Sequence, residues 1–360
     1  MSVLPNKKKV ILVAVLDWGL GHATRCIPLI QQLLRQNFEV ILAGNGDSLK
    51  LLQKEFPHIP SEQMAGYNII YPFSSMVVNI AFQLPGLIWA ITREHFQLRK
   101  LHRKYGFSGI ISDNRYGCFL SIVPSIFMGH QLQILTPYKS LTYWVNIFHQ
   151  LWLRLFDEVW IPDIENGLSG ELSATNLKKT RFIGLLSRMK FLDRKSKYRL
   201  VVVLSGVEPQ RTKLEQLLIT QLKQLDIPTL LVQGKINGKI TLQISPNVNA
   251  IPYLSTNALN EAMAQGEIII CRPGYSSLMD LAKLGKKAIV IPTPGQTEQE
   301  YLGCSLDQKE LVVCQAQNNI NLATALDNVQ KSKGLSEFDN QDDLLQTAIR
   351  ITFGKAETAA

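Results

Sequence analysis

Two short runs of continuous apolar residues, VILVAVL at 10–16 and LVVVL at 200–204, constrain this chain more than any other feature. A strand with one wet face alternates polar and apolar side chains, whereas a strand covered by helices on both faces does not. Each run therefore reads as a central strand of a parallel sheet. Each is followed by a small-residue turn and then by a helical pattern. After the first come Gly19-Leu20-Gly21-His22 and a helix carrying Ile27, Ile30, Leu33 and Leu34. After the second come Ser205-Gly206 and a helix through 216–222. Further strands are expected at 38–43, 109–112 and 158–161, and again at 229–233, 267–271, 288–291 and 311–314. Strands alternating with helices mean an α/β architecture, and here the pattern starts twice. The expected organisation is a Rossmann-like domain at 1–187, a basic linker at 188–199 (RMKFLDRKSKYR), a second Rossmann-like domain at 200–335, and a polar tail at 336–360 with a terminal amphipathic helix at 344–353.

Composition narrows the class of protein. With 360 residues, 46% hydrophobic and 19% charged, the chain can bury two cores without disulfide or metal staples. Cys26, Cys118, Cys271, Cys304 and Cys314 are widely spaced and form no CxxC, so neither a disulfide framework nor a zinc site is expected. The apolar stretch 76–91 is broken by Asn79, Gln83, Pro85 and Gly86 and falls short of the ~20 residues a spanning helix needs. The first apolar run is followed by Asp17 rather than by a small-residue cleavage site. The expected location is the cytoplasm. A net charge of +9 suits an anionic partner, but no nucleic-acid-binding motif accompanies it, so nucleic acid is not expected. Arg93, Arg99, Lys100, Arg103 and Lys104 follow the apolar residues 87–91, and 142–156 (TYWVNIFHQLWLRLF) is aromatic for a connecting region. These segments read either as core helices or as a face that docks on an anionic membrane surface, at the inner side of the cell membrane.

The segment 268–302 carries the most chemistry. A strand ends at Cys271, Pro273-Gly274 makes a turn, and Ser276 or Ser277 is expected to cap a helix that stops at Gly285. A helix start at the carboxyl end of a parallel strand binds anions, because free N–H groups and the helix dipole converge there. Gly274 lets a phosphate approach the backbone. Asp280 either accepts the two hydroxyls of a ribose or only stabilises the helix start.

RPGYSSLMDLAKLGKKAIVIP followed by QTEQEYL resembles the donor-binding half of family-28 glycosyltransferases, a group that contains the lipid II-forming GlcNAc transferase, over roughly residues 199–315. The resemblance implies the GT-B fold, two Rossmann-like domains with parallel sheets facing across a cleft. It implies that Gly274 and the N–H groups of Tyr275, Ser276 and Ser277, with Arg272 beside them, hold the donor diphosphate. Asp280 stands where the family has a ribose-binding glutamate, and Gln299 and Glu300 stand where it has two glutamines beside the donor sugar. Tyr253 and Leu254 fall near the base-contacting loop. In place of the family's Gly-rich loop the chain has Ser205-Gly206-Val207-Glu208-Pro209, with Arg211 expected to reach phosphate.

Related enzymes also have a glycine-plus-histidine turn like Gly19-Leu20-Gly21-His22, its histidine facing the cleft. An imidazole of ordinary pKa near 6.5 takes a proton from a hydroxyl at neutral pH. His22 is thus a candidate general base, or else only orients the loop. Asp113, delivered by the strand ending at 112, is a candidate orienter of His22. Alternatively it forms a structural ion pair with Arg115. His130-Gln131 closes another apolar run. The expected activity is inverting glycosyl transfer from a nucleotide-diphosphate sugar, UDP-linked, to a glycan or lipid-linked acceptor of the cell envelope. The chain has no Asp-x-Asp, so neither a metal nor a cofactor is expected beyond the donor substrate. Hydrolysis or epimerisation of a nucleotide sugar, and a non-catalytic sugar-nucleotide-binding subunit, are the alternatives.

Overall fold

The computed structural model describes residues 8–67, 76–136, 138–235, 241–339 and 343–354, and of 76–84 and 339 the backbone alone. The chain divides into two units, one made of Met1–Glu165, Glu171–Leu186 and Gln341–Ala360, the other of Asn166–Gly170 and Ser187–Asn340.

In the first unit, β1 (Val10–Val15) is buried along its whole length. It leads into α1 (Leu20–Arg35), β2 (Glu39–Gly44), α2 (Gly46–Glu55) and β3 (Ser61–Gln63). A long helix, α3 (Met76–Tyr105), returns the chain to β4 (Gly109–Asp113) and β5 (Ser125–Met128), followed by α4 (Lys139–Leu153), β6 (Glu158–Ile161) and β7 (Thr180–Phe182). The strands lie in the order β3-β2-β1-β4-β5-β6-β7, all parallel. Connections from β1 step one way across the sheet and those after β3 step the other. Right-handed crossovers then put α1 and α2 on one face and α3 and α4 on the opposite face. Where the direction reverses, between β1 and β4, the loops at the carboxyl ends part and leave a crevice. The residues after β1 and at the end of β4 sit there.

The second unit repeats the design. It runs β8 (Tyr198–Val203), α5 (Gln210–Leu225), β9 (Thr229–Val232), β10 (Leu242–Ser245), β11 (Val248–Ile251), α6 (Thr256–Ala264), β12 (Gly266–Cys271), α7 (Tyr275–Leu284), β13 (Lys287–Val290), α8 (Thr297–Gln308), β14 (Val313–Cys314) and α9 (Leu322–Val329). The strand order is β10-β11-β9-β8-β12-β13-β14, parallel except for the antiparallel pair β10 and β11. Its reversal point lies between β8 and β12. Leu200, Val202, Leu218, Ile268 and Ile270 are buried together on one face with Leu322 and Val329 of α9.

Of the expected linker 188–199, residues 188–197 lack regular structure but are tied to the second unit, and the last two residues begin β8. Lys190 N donates to Asn260 Oδ1 at 2.8 Å, and Arg194 Nε donates to Glu261 Oε1 at 2.7 Å. The last helix, α10 (Asp343–Phe353), belongs to the first unit. The Lys9 ammonium donates to Phe353 O at 2.9 Å, and the Phe353 ring contacts Phe38 and Trp160. That ring also explains Gly109, where a β-carbon would lie 2.4 Å from it. The broken stretch 76–91 proves to be part of one continuous helix, with Pro85 inside α3. No helix among the described residues is long and apolar enough to cross a membrane.

Candidate active-site residues

At the reversal point of the first sheet, Gly19 takes φ +87°, a left-handed backbone in which a side chain is strained, and begins α1. Gly21 and His22 follow in the first turn of that helix. His22 Nδ1 lies 3.1 Å from Oδ2 of Asp113, a fully buried carboxylate at the end of β4. Arg25 and His130 complete the cluster: Arg25 Nε donates to Asp113 Oδ1 at 3.0 Å, and Arg25 Nη1 lies 3.2 Å from His130 Nδ1. Burial is the largest influence on His22 and lowers its pKa from 6.5. Asp113 opposes it, while Arg25 and His130 reinforce it. For Asp113, burial alone would raise the carboxyl, but the charge of Arg25 and then of His22 outweighs it and holds the group below its ordinary value.

The expected alternative, an Asp113–Arg115 ion pair, is not formed. Asn114 between them adopts φ +56° and turns the chain, so that Arg115 heads away from its neighbour. Its Nε pairs instead with Glu94 at 2.6 Å, both side chains fully buried.

In the second unit the turn after β12 begins α7 with Gly274 as its first capping residue. Ser276 and Ser277, expected as caps, lie instead within its first turn. A β-carbon at Gly274 would meet nothing closer than Ser277 Oγ at 4.0 Å, so the space over this helix start is open. Tyr275 is buried, and Ser276 and Ser277 are half-buried. The neighbouring turn, Ser205-Gly206 after β8, is exposed, with Gly206 at φ +106°. Beside it stands Thr293, whose buried Oγ1 has no hydrogen-bond partner among the described residues and lies 3.8 Å from where a Gly206 β-carbon would be.

Asp280, on α7, is half-buried. Ser187 Oγ donates to its Oδ1 at 2.6 Å. Burial pushes its carboxyl up to about 6, against the charge of Arg188 and the Ser187 hydrogen bond. Tyr253 is exposed and Leu254 half-buried in the loop after β11.

Four of the expected donor residues are engaged within the unit. Arg211 donates to Glu208 at 2.6 Å and to Glu215 at 2.7 Å, and is largely buried. The Arg272 guanidinium is buried against the carbonyls of Ile291 and Pro292, at 2.9 and 2.8 Å. Gln299 accepts from Thr293 N and Glu300 from Gly295 N, each at 2.9 Å, so both side chains hold the loop that leads into α8.

Comparison with known proteins gives this geometry a context. Residues 207–347 match the glycosyltransferase family 28 C-terminal domain. A UDP-N-acetylglucosamine–N-acetylmuramyl-(pentapeptide) pyrophosphoryl-undecaprenol N-acetylglucosamine transferase of Pasteurella multocida is 23% identical over 312 residues, 83% of this chain and 81% of that enzyme. The enzyme of that name from Acetivibrio thermocellus is 33% identical over 78 residues, only 21% of either chain. The chain is a glycosyltransferase whose residues 207–347 form a family-28-type C-terminal domain. Among solved structures, Acinetobacter baumannii MurG aligns with a TM-score of 0.59 at 16% identity, over 96% of this chain and 99% of that one. The spinosyn rhamnosyltransferase SpnG aligns at 0.67 and 14%, over 96% and 99%. These likenesses establish the GT-B fold.

Arg25, Ser187 and Thr293 stand beside the expected residues of this glycosyltransferase although no motif singles them out. The first was findable: Arg25 follows His22 by three positions and so shares its helix face. Ser187 and Thr293 carry no local signal, since only the fold brings them to Asp280 and Gly206.

Proposed function

We propose that this glycosyltransferase moves a sugar from a UDP-sugar to the hydroxyl of a lipid-linked, cell-envelope acceptor, with inversion and without a metal ion. The observation that carries the reading is the contact between His22 and the buried Asp113, an imidazole oriented by a carboxylate at a sheet reversal point. Asp113 accepts a hydrogen bond from Nδ1–H and so fixes the tautomer, and Nε2 then accepts the proton of the attacking hydroxyl. In the second unit the open start of α7 and the unpartnered Thr293 hydroxyl suit a diphosphate. Fixed N–H dipoles there stabilise the departing nucleotide, the task a metal performs elsewhere. The UDP-sugar and the polyprenyl-linked acceptor are those that the similar transferases of Pasteurella multocida and Acetivibrio thermocellus are named for.

The test is direct. UDP-N-acetylglucosamine at 100 times its dissociation constant should stabilise the protein by about 2.7 kcal/mol, and transfer to a pyrophosphoryl-undecaprenol acceptor should persist in excess chelator. Asp280→Ala should weaken donor binding by about 1.5–3 kcal/mol. Sugar release that ignores the acceptor would indicate hydrolysis instead.

A membrane site follows from α4. The side chains it buries include the polar Asn146 and His149, while Tyr143, Trp144, Phe148 and Leu151 are exposed. Asn146 bonds to Ile134 N and O, and His149 to the Tyr116 hydroxyl, which is what makes their burial tolerable. The helix is thus apolar outward. Lys139 and Arg154 flank the stripe, and on α3, across the same sheet face, Trp89 and Phe96 are exposed beside Arg93 and Lys100. We place this side of the first unit on an anionic leaflet at the cytoplasmic face of the membrane. The chain should sediment with phosphatidylglycerol vesicles. A triple variant with Trp144→Ser, Phe148→Ser and Leu151→Ser should lose at least about tenfold of that binding, since each Phe or Leu buried contributes about 1.5–3 kcal/mol. Equal binding by that variant would exclude α4.

A further inference from the structure

His22 does not meet Asp113 alone. Arg25 lies one turn further along α1 and its side chain is 2% exposed. Its Nε and Nη2 both donate to Asp113 Oδ1. Its Nη2 is also 3.0 Å from His22 Nδ1. Arginine has donors and no acceptor, so His130 Nδ1 takes the Arg25 Nη1 bond with its lone pair. At His22 Nδ1 two demands compete. Either Nδ1–H donates to Asp113 Oδ2, leaving Nε2 with its lone pair, or a bare Nδ1 accepts from Arg25 and the proton sits on Nε2. Only the first state can act as a base at Nε2. The anionic Oδ2 is the stronger partner for a donor, and Arg25 is already committed to Oδ1, so the first state prevails.

We propose that Arg25 is a positioning residue for His22: it holds Oδ1 of Asp113, leaves Oδ2 to the ring, and by its charge keeps the imidazole neutral with Nε2 available. The inference rests on the reading of His22 as the base and adds the residue that regulates it. The groups facing His22 are Asp113 from the end of β4, Arg25 from its own helix and His130 from beyond β5, with the Cys26 thiol on Asp113 Oδ2 at 3.6 Å. Of these only Asp113 favours the charged ring. Without Arg25, only burial and His130 are left to oppose Asp113.

The experiment follows the His22 imidazole by NMR through a pH titration of the full chain. Alongside it, the acid limb of kcat/KM is recorded with UDP-N-acetylglucosamine and a pyrophosphoryl-undecaprenol acceptor. Wild-type His22 should titrate below 6.5. Arg25→Gln should raise that midpoint, and the acid limb with it, by about 1–3 pH units, the scale of one close charge. Arg25→Lys, which keeps the charge and loses the forked bond, should move both less. A wild-type midpoint at or above 6.5, or an unmoved midpoint in folded Arg25→Gln, overturns the inference. If Arg25→Gln does not fold, the wild-type midpoint and Arg25→Lys decide. A midpoint that moves while the acid limb stays put upholds the role of Arg25 and overturns His22 as the base.

Discussion

Replacing His22 with alanine is expected to lower turnover by about 10²–10⁴-fold, the usual contribution of a general base. Affinity for the UDP-sugar should barely change, because the proposed donor residues lie in the other unit. Turnover should also fall on acidification, since only the neutral ring accepts a proton and the folded His22 titrates below 6.5. The sign for stability is related. The unfolded imidazole binds its proton near 6.5 while the folded one resists it, so the His22 contribution to stability is lost as pH falls below 6.5. Asp113→Asn should cost less turnover than His22→Ala, by letting the ring adopt the wrong tautomer. If His22 only orients its loop, His22→Ala lowers stability and leaves turnover per folded molecule near normal. A loss below about fivefold in folded protein would end the catalytic assignment.

Glu94→Ala is expected to destabilise the first unit by about 3–5 kcal/mol, the cost of leaving one member of a buried ion pair alone. Glu94 accepts from Tyr67 Oη at 2.6 Å and from Gly117 N at 2.8 Å while pairing with Arg115. Arg115 in turn donates to Val15 O and to Asn45 Oδ1, each at 3.0 Å. The variant therefore strands a guanidinium that ties β1, α2 and α3 together. All five tryptophans of the chain fall in the first unit, so their fluorescence in urea follows that unit. A Glu94→Met, Arg115→Met double variant should cost less than Glu94→Ala, because no unpaired charge remains. An unchanged urea midpoint for Glu94→Ala would mean that the pair is not what holds these elements.

The elements legible in the sequence were those whose signal is local. β1 and β8 stand out because both faces are covered, and α7 because Pro273-Gly274 and Gly285 bracket it; Gly285 takes the left-handed φ of +62° that ends the helix. Short strands such as β3 and the β10–β11 pair carry too few residues to show a period. In the candidate site, His22 and Asp113 could be paired because each follows or ends a strand of the same sheet. Arg115 pairs with Glu94 and not with the nearby Asp113, a choice hidden in the sequence because the left-handed turn at Asn114 is a property of the folded loop. Arg211 looked available to phosphate, yet its spacing from Glu208 and Glu215 is that of helix neighbours, a local cue to the ion pairs it forms.

The return of α10 to the first unit has a consequence for how the molecule is made. Lys9, just before β1, and Phe353, near the end of α10, are bonded although 344 positions apart. Translation delivers β1 to β7 early, but the helix that covers Gly109 emerges only after every strand of the second sheet. A domain can complete itself on the ribosome only when all its pieces have left the exit tunnel. The second unit meets that condition before the first, whose apolar surface at Gly109 and Phe38, by the amino ends of β4 and β2, must wait for Phe353. The half of the chain that is synthesised first is the half that is finished last.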